Sequence, residues 1–258
     1  MKISELFSVE GKVVLVTGGS RGIGEMIARA YVENGAKVYI SARKADACDA
    51  LAAELSKSGT CISLPADLSK MAEIERLASE IEAREGALHI LVNNAGATWG
   101  ASFDTFPEAG WDKVMDLNVK SVFFLTQRVL KLLEAAGTED DPARVINIGS
   151  VDGLHISPIE AYSYAASKAG LHHVTRMMAK FLALKHIAVN GVAPGYFPSK
   201  MTAGIAEEFG EPTRLATPMR RWGAPSDMGG VALYLGSKAS NFVCGAIIPV
   251  DGGFATTV

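Results

Sequence analysis

Short apolar segments rich in β-branched residues recur along the chain, and stretches with helical periodicity separate them. Most of the segments are almost uninterrupted hydrophobic runs rather than alternating ones, which is typical of strands buried on both faces of a sheet. Seven such segments predict strands at residues 12–17, 37–41, 61–64, 88–92, 144–148, 187–192 and 246–250.

The stretches between the strands predict helices, several of which end at a glycine, a residue that favours helix termination. They cover residues 23–34, 44–58, 70–85 and 161–186, with two consecutive helices within 106–136. Because strands and helices alternate along the whole chain, we expect a parallel sheet with helices on both faces. The sequence therefore predicts an α/β fold with a seven-stranded, mostly parallel, doubly wound sheet.

Nothing in the sequence divides the chain into separate units. There is no internal repeat, low-complexity segment or Pro/Ser-rich linker, so we expect one domain over residues 1–258. Residues 194–225 form the longest stretch without a clear pattern. An irregular segment of that length in a compact domain is usually a lid or a binding loop, and we interpret it as the substrate loop.

Composition and charge narrow the function classes. With 25 basic and 28 acidic residues the formal charge is −3, which argues against a nucleic-acid binder, and 48% hydrophobic residues argue against intrinsic disorder. The scattered cysteines Cys48, Cys61 and Cys244 suit a reducing compartment better than a disulfide framework. Neither a signal peptide nor an 18-residue apolar run is visible, so we expect a cytoplasmic protein.

A glycine-rich loop joins the first predicted strand to the first predicted helix. Gly18, Gly22 and Gly24 give the spacing Gly-x-x-x-Gly-x-Gly. Without a Cβ, the backbone can turn tightly and approach a pyrophosphate, which the free N–H groups of a helix N-terminus bind. The strand before the loop and the helix after it favour a dinucleotide site over an ordinary glycine-rich turn. We therefore expect a single-domain Rossmann fold.

The end of the second predicted strand bears on the choice of dinucleotide. Sites for NAD commonly place a carboxylate there to bind the ribose 2′-hydroxyl. This chain has no carboxylate in that segment before Asp46, whereas Ser41, Arg43 and Arg21 suit a 2′-phosphate. The alternative is that both arginines are solvated surface charges. We expect NADP(H) rather than NAD(H).

Tyr164 and Lys168 are four residues apart in the long predicted helix, so they lie on the same helix face. A phenol with its usual pKa near 10 exchanges protons poorly at neutral pH, and a nearby ammonium group lowers that pKa. The pair thus predicts a general acid for a ketone oxygen, although chance pairs of this kind are common on helix surfaces. Tyr162 lies about 240° round the helix from Lys168 and is the weaker candidate.

Further polar residues follow neighbouring predicted strands. Ser150 follows the fifth strand, and the segment 93–96 (Asn-Asn-Ala-Gly) follows the fourth. Both therefore lie at the carboxyl edge of the sheet, where open α/β folds bind ligands. Asn118 occurs in the helical stretch between them.

These motifs resemble the short-chain dehydrogenase/reductase family over essentially the whole chain. The glycine loop at 17–24, Asn-Asn-Ala-Gly at 93–96, Asn118, Ser150 and Tyr164-x-x-x-Lys168 occur in the family's order. The resemblance implies that Tyr164 is the proton donor and that Lys168 binds the nicotinamide ribose and lowers the tyrosine pKa. It also implies that Ser150 positions the carbonyl group and that Asn118 holds a proton-relay water.

The same resemblance extends the cofactor site. It implies that Asp67 and Leu68 contact the adenine and that Pro194 and Gly195 form the nicotinamide-side turn. The expected cofactor-binding residues are Gly18, Ser20, Arg21, Gly22, Ile23, Gly24, Ser41, Arg43, Asp67, Leu68, Asn94, Ala95, Gly96, Tyr164, Lys168, Pro194 and Gly195.

Within the family, residues 146–151 and 193–202 are similar to the β-ketoacyl reductase associated with bacterial rhamnolipid synthesis. General 3-oxoacyl-(acyl-carrier-protein) reductases and gluconate 5-dehydrogenase-like enzymes are also similar. We expect an enzyme that reduces a 3-oxoacyl or apolar ketone with NADPH. The alternatives are an NAD-dependent polyol or sugar-acid dehydrogenase and a non-catalytic nucleotide-binding protein. The resemblance further implies a homotetramer, and an acyl carrier protein is the candidate partner.

Several side chains on loops at the same edge are candidates for an apolar substrate pocket or for local packing. His155 is a candidate substrate contact, whereas the adjacent His172 and His173 point about 100° apart on a helix and do not suggest a metal site. The pocket candidates are Trp99, Phe103, Leu154, Tyr196, Phe197 and Met201.

Overall fold

The computed structural model describes residues 2–157, 159–199, 202–255 and 257, and it contains one seven-stranded sheet. The strand order is β3-β2-β1-β4-β5-β6-β7, and each pairing in the sheet is parallel. This is the arrangement of a Rossmann-type doubly wound sheet, in which the strand order reverses between β1 and β4. The strands are β1 (Val13–Thr17), β2 (Lys37–Ser41), β3 (Thr60–Ser63), β4 (Ile90–Asn93), β5 (Ala143–Ile148), β6 (Ile187–Pro194) and β7 (Ile247–Val250).

Helices cover both faces of the sheet, as the alternation of elements predicts. On one face α2, α3 and α10 pack on the strands, and on the other α4, α6, α7 and α8 do so. The helices are α1 (Ile3–Leu6), α2 (Gly22–Glu33), α3 (Ala45–Leu55), α4 (Met71–Arg84), α5 (Glu108–Met115), α6 (Ser121–Arg128), α7 (Leu130–Ala136), α8 (Tyr162–Leu182), α9 (Ala203–Ala216) and α10 (Pro225–Gly236).

The central strands are buried on both sides because their side chains alternate between two apolar layers. Val14 and Val16 of β1 face the layer under α2, whereas Leu15 between them faces the layer under α4. All three are fully buried. The continuous hydrophobic run that identified this strand in the sequence therefore has a direct structural cause.

The interpretation of residues 194–225 as one irregular segment is wrong. Helix α9 occupies 14 of these residues, and α10 begins at the last of them, Pro225, after a connection over residues 217–224. Proline interrupts helical patterns in sequences, and Pro212 lies inside α9. Pro225, by contrast, occupies the first turn of α10, where its missing N–H costs nothing.

No helix within the described residues combines the length and the hydropathy that a membrane-spanning segment needs.

Candidate active site

The carboxyl ends of β1 and β4 are joined by a compact hydrogen-bond network. The hydroxyl of Thr17 accepts the backbone N–H groups of Asn94 and Ala95 at 2.9 and 3.0 Å. The side-chain amide of Asn94 in turn donates to the carbonyls of Thr17 and Gly18 at 2.9 and 3.1 Å. The predicted residues of the two loops therefore meet, and the glycine loop is held against the end of β4.

The glycine loop has the shape of an anion cradle. Gly18 and Gly22 adopt positive φ angles of 62° and 56°, a conformation that favours glycine. A Cβ on Gly24 would collide with the carbonyl oxygen of Gly18. Helix α2 begins at Gly22, and no side chain caps its first N–H groups. These groups are thus available to a pyrophosphate, and the residues fit the dinucleotide that the motif predicts.

The end of β2 lies beside this cradle and carries no acidic group. The backbone N–H of Gly19 donates to the carbonyl of Ser41 at 3.1 Å, which fixes the two loops side by side. The Ser41 hydroxyl is buried and has no hydrogen-bond partner among the described residues. Arg21 and Arg43 are exposed and form no ion pair within the described part of the chain. A free hydroxyl and two free guanidinium groups are a suitable set for a 2′-phosphate.

The remaining predicted cofactor residues also lie at the carboxyl edge. Asp67, just after β3, accepts the Ser69 hydroxyl at 2.8 Å, and Leu68 is buried. Gly195, directly after β6, donates its N–H to the carbonyl of Val250 at 3.0 Å. A Cβ on Gly195 would lie 2.9 Å from the Cα of Asp251, so only glycine fits this close approach.

Asn118 lies in a π-helical turn, Asp116–Lys120, between α5 and α6. Its side chain is buried and exchanges two hydrogen bonds with the backbone of Ala97, at 2.8 and 2.9 Å. It also donates to the hydroxyl of Ser167 on α8 at 2.9 Å. Asn118 therefore connects the loop after β4 with the helix that carries the tyrosine, and turns of this kind are frequent at functional sites.

The side chains of Tyr164 and Lys168 meet on one face of α8. The ammonium group of Lys168 lies 5.5 Å from the centre of the Tyr164 ring and donates to the carbonyl of Ile148 at 2.8 Å. A Cβ built on Gly96 would lie 3.3 Å from the Asn118 side-chain oxygen and 3.8 Å from the Lys168 nitrogen. Asn118 and Lys168 thus meet beside Gly96, and Tyr164 lies next to Lys168.

Burial governs the proton affinities of this pair. It raises the pKa of Tyr164 to about 12, against the opposing effect of the Ser150 hydroxyl and with a smaller upward effect of Asp152. It also lowers the pKa of Lys168 to about 8, which the charge of Asp152 partly opposes. The expected net lowering of the tyrosine pKa is therefore wrong for this structure, because desolvation disfavours the charged form of both groups.

Ser150 faces Tyr164 from the loop after β5. It precedes a single 3₁₀ turn, Val151–Gly153, and its side-chain oxygen accepts the N–H of Asp152 at 3.1 Å. Asp152 was not predicted from the sequence, and its carboxyl group has no hydrogen bond or ion pair within the described residues. Burial raises the pKa of Asp152, and His155 and Lys168 partly oppose this. Its position two residues after Ser150, in the same turn, was the available signal.

An aromatic wall borders the cleft. Tyr196 stacks on Trp222 with 5.8 Å between ring centres, and Phe254 packs edge-on against Tyr196 at 5.2 Å. The ring of His155 lies 5.3 Å from that of Phe254. His155 and Tyr196 were candidates from the sequence, whereas Trp222 and Phe254 come from distant segments that only the fold brings there.

The other pocket candidates among the described residues make none of these aromatic contacts. Phe197 is buried in the core, and Trp99 packs against Gly110. Phe103 is 78% exposed and contacts Tyr162 edge-on at 5.6 Å in an outer groove of 560 Å³. Leu154 is 43% exposed, and Met201 lies outside the described residues.

Comparison with known proteins adds a family and several relatives. Residues 18–255 match a family model described as enoyl-(acyl carrier protein) reductase. The rhamnolipids biosynthesis 3-oxoacyl-[acyl-carrier-protein] reductase of Pseudomonas aeruginosa is 49% identical over 250 residues, which covers 96% of this chain and 98% of that protein. The 5-keto-D-gluconate 5-reductase of Escherichia coli is 35% identical over 259 residues, covering 99% and 100%.

Two solved structures are similar to this chain over nearly its whole length. The Pseudomonas aeruginosa RhlG/NADP active-site complex has a TM-score of 0.94 at 49% identity, over 97% of this chain and 98% of that one. A gluconate 5-dehydrogenase from Burkholderia cenocepacia, in complex with NADP and tartrate, has a TM-score of 0.92 at 33% identity, with both chains fully covered.

Proposed function

The chain belongs to the short-chain dehydrogenase/reductase family of oxidoreductases, and from this premise we propose that it reduces the ketone of a 3-oxoacyl substrate with NADPH. The observation that carries the proposal is the convergence of Ser150, Tyr164 and Lys168 beside the glycine loop. The product is a secondary alcohol. The 49% identity with a 3-oxoacyl-[acyl-carrier-protein] reductase supports this substrate class.

The cofactor is NADP(H), which supplies the hydride when it is bound. The uncapped start of α2 holds the pyrophosphate, and Arg21, Ser41 and Arg43 hold the 2′-phosphate. The RhlG/NADP complex, whose chain is 49% identical, supports this choice.

The chain's own residues donate the proton that the reduction requires. The hydroxyl of Tyr164 donates its proton to the ketone oxygen, and the Ser150 hydroxyl holds that oxygen by a hydrogen bond. Burial raises the pKa of Tyr164 to about 12, so the phenol is protonated at neutral pH but is a weaker acid than a free phenol, and proton transfer depends on stabilisation of the phenolate. The buried ammonium group of Lys168, 5.5 Å from the phenol ring, stabilises the phenolate that forms.

The borders of the cleft favour an acyl chain over a sugar acid. Tyr196, Phe254 and His155 provide aromatic surface. The unpaired carboxyl group of Asp152 lies near Tyr164 and Lys168 and would repel a substrate carboxylate. Reduction of a keto-sugar acid is the second candidate, since a 5-keto-D-gluconate 5-reductase is 35% identical.

We further propose a homotetramer in the reducing cytoplasm, with an acyl carrier protein as partner. Helices α6 and α8 expose apolar side chains at Phe123, Met177 and Phe181, which a subunit interface would bury in the tetramer. Light scattering on the purified protein tests the tetramer, and a monomer would contradict it.

The three cysteines bear on the compartment, because Cys48, Cys61 and Cys244 are free thiols, which suits a reducing environment.

A substrate panel tests the function most broadly. We expect turnover of acetoacetyl thioesters of acyl carrier protein and coenzyme A with NADPH, and much slower turnover of 5-ketogluconate or of any substrate with NADH. Preferred reduction of 5-ketogluconate would favour the second candidate, and preference for NADH would contradict the proposed cofactor.

A further inference from the structure

His172 is a buried histidine that the proposed mechanism does not use. It lies on α8 one turn beyond Lys168, on the same helix face, and it is only 2% exposed to solvent. Neither ring nitrogen has a hydrogen-bond partner among the described residues. The ring therefore contributes mainly through its shape, beside the backbone of Gly153, whose hydrogen-bonding effect on the ring partly opposes the lowering of its pKa.

The ring fills a space that two glycines leave open. A Cβ on Gly149 would collide with Nε2 of His172 and lie 2.7 Å from its Cδ2. A Cβ on Gly153 would lie 2.7 Å from Cε1 of His172 and 2.8 Å from the backbone carbon of Lys168. These glycines flank Ser150 on its two sides, so the imidazole lies directly against the turn that carries the serine.

Hydrogen bonds within the described residues also fix this turn. Gly149 donates its N–H to the carbonyl of Val192 at 2.7 Å, and Asp152 donates its N–H to the Ser150 side chain at 3.1 Å. The first contact holds the turn to β6, and the second is internal to it. Gly153 also donates its N–H to the carbonyl of Ser150 at 3.0 Å. Towards α8, the turn is held by the hydrogen bond from Lys168 to the carbonyl of Ile148, the residue before Gly149, and by packing against His172.

We propose that His172 is a positioning residue, whose ring supports the turn 149–153 and so fixes Ser150 relative to Tyr164 and Lys168. The inference rests on the proposed function for its consequence in catalysis. A displacement of about 1 Å at a reacting group costs on the order of a hundredfold in rate, so loss of the ring acts on turnover.

The ring stays neutral while it does this. Burial, together with the nearby charges of Lys168 and Arg176, lowers the pKa of His172 to about 4, and the backbone of Gly153 partly opposes this. At neutral pH, therefore, His172 adds no charge beside the catalytic lysine, and an uncharged side chain of similar volume should replace it.

The first test compares two adjacent histidines. His172→Ala should lower kcat for acetoacetyl thioester by about tenfold to a hundredfold, with the KM for NADPH unchanged, because the cofactor cradle is on the other strands. His173→Ala is the matched control, since His173 is exposed on α8, and it should keep wild-type kcat. His172→Leu, which restores the volume without a polar atom, should recover most of the lost kcat.

The second test is a double-mutant cycle with Gly149. Gly149→Ala alone should damage kcat because the new methyl group collides with the imidazole. Combined with His172→Ala, it should cost less than the sum of the two single changes. Additive losses would show that the two positions do not act through one contact.

Hydrogen exchange separates this inference from the proposed function. The amide of Asp152, bonded to Ser150, should exchange faster in His172→Ala than in His173→Ala, whatever substrate the enzyme reduces. If the two variants show this exchange difference but the wild-type protein does not reduce ketones, only the proposed function is refuted. Equal exchange in both variants, or wild-type kcat in a folded His172→Ala protein, would overturn the role of His172.

Discussion

The ammonium group of Lys168 lies 5.5 Å from the centre of the Tyr164 ring, and it hydrogen-bonds the carbonyl of Ile148 rather than the phenol. Lys168 is buried and Tyr164 half-buried in one cleft, where desolvation raises the pKa of Tyr164 to about 12 and lowers that of Lys168 to about 8. The pair thus starts a reduction with the phenol protonated, and the lysine matters most after the proton has left.

Asp152→Asn should shift the alkaline limb of the reduction rate to lower pH. The charge of Asp152 raises the pKa values of both Tyr164 and Lys168, although burial is the larger influence on each. Reduction needs the protonated phenol and the ammonium group, so removal of that charge lets both lose their protons at lower pH. The measurement is kcat against pH from 6 to 11, with Asp104→Asn on an exposed turn as control. An unchanged or upward-shifted limb would count against this role.

Arg43→Ala should weaken the binding of NADPH and leave the binding of NADH unchanged. A charge-assisted hydrogen bond to phosphate contributes about 1.5–3 kcal/mol, so the KM for NADPH should rise about tenfold to a hundredfold while that for NADH stays constant. Steady-state kinetics with both cofactors measure this. Arg84→Ala, on α4, is the control for general loss of positive charge. Equal effects on the two cofactors would show that Arg43 does not contact the 2′-phosphate.

Asp141→Asn should destabilise the fold at neutral pH. Arg144, 1% exposed on β5, donates to the Asp141 carboxylate at 3.0 Å, and Lys12 does so at 2.9 Å. Burial alone would raise the pKa of Asp141, but Lys12 and Arg144 together hold it below its usual value. Breaking such a pair leaves a buried charge uncompensated, at a cost of roughly 3 kcal/mol in the free energy of unfolding.

The loss of folding stability in Asp141→Asn should depend on pH in a defined direction. Because the folded-state pKa of Asp141 is lowered, its stabilisation is present above the unfolded pKa and disappears as the pH falls through the folded value. In urea unfolding, the free energy of unfolding of Asp141→Asn should therefore be clearly lower than that of wild type at pH 7, and the difference should be much smaller in acid. Asp140→Asn, at an exposed position, is the control. A difference that grows in acid would contradict the pairing.

The sequence predicted the sheet and the edge where the site lies because strand–helix alternation and the glycine loop are local patterns. It missed α9, whose interior Pro212 resembles a helix stop. Asp152, Phe254 and the packing of His172 emerge only when distant segments meet. The direction of the Tyr164 pKa depends on how deeply the phenol is buried, which residue spacing does not contain.

The central claim is that Tyr164 donates the proton, and Tyr164→Phe tests it most directly. With acetoacetyl thioester and saturating NADPH, kcat should fall at least about a hundredfold, the range expected for loss of a general acid, while NADPH binding by fluorescence stays intact. Tyr162→Phe removes an exposed hydroxyl two residues away on the same helix and should leave kcat near the wild-type value. A Tyr164→Phe enzyme that turns over as fast as wild type would contradict the account.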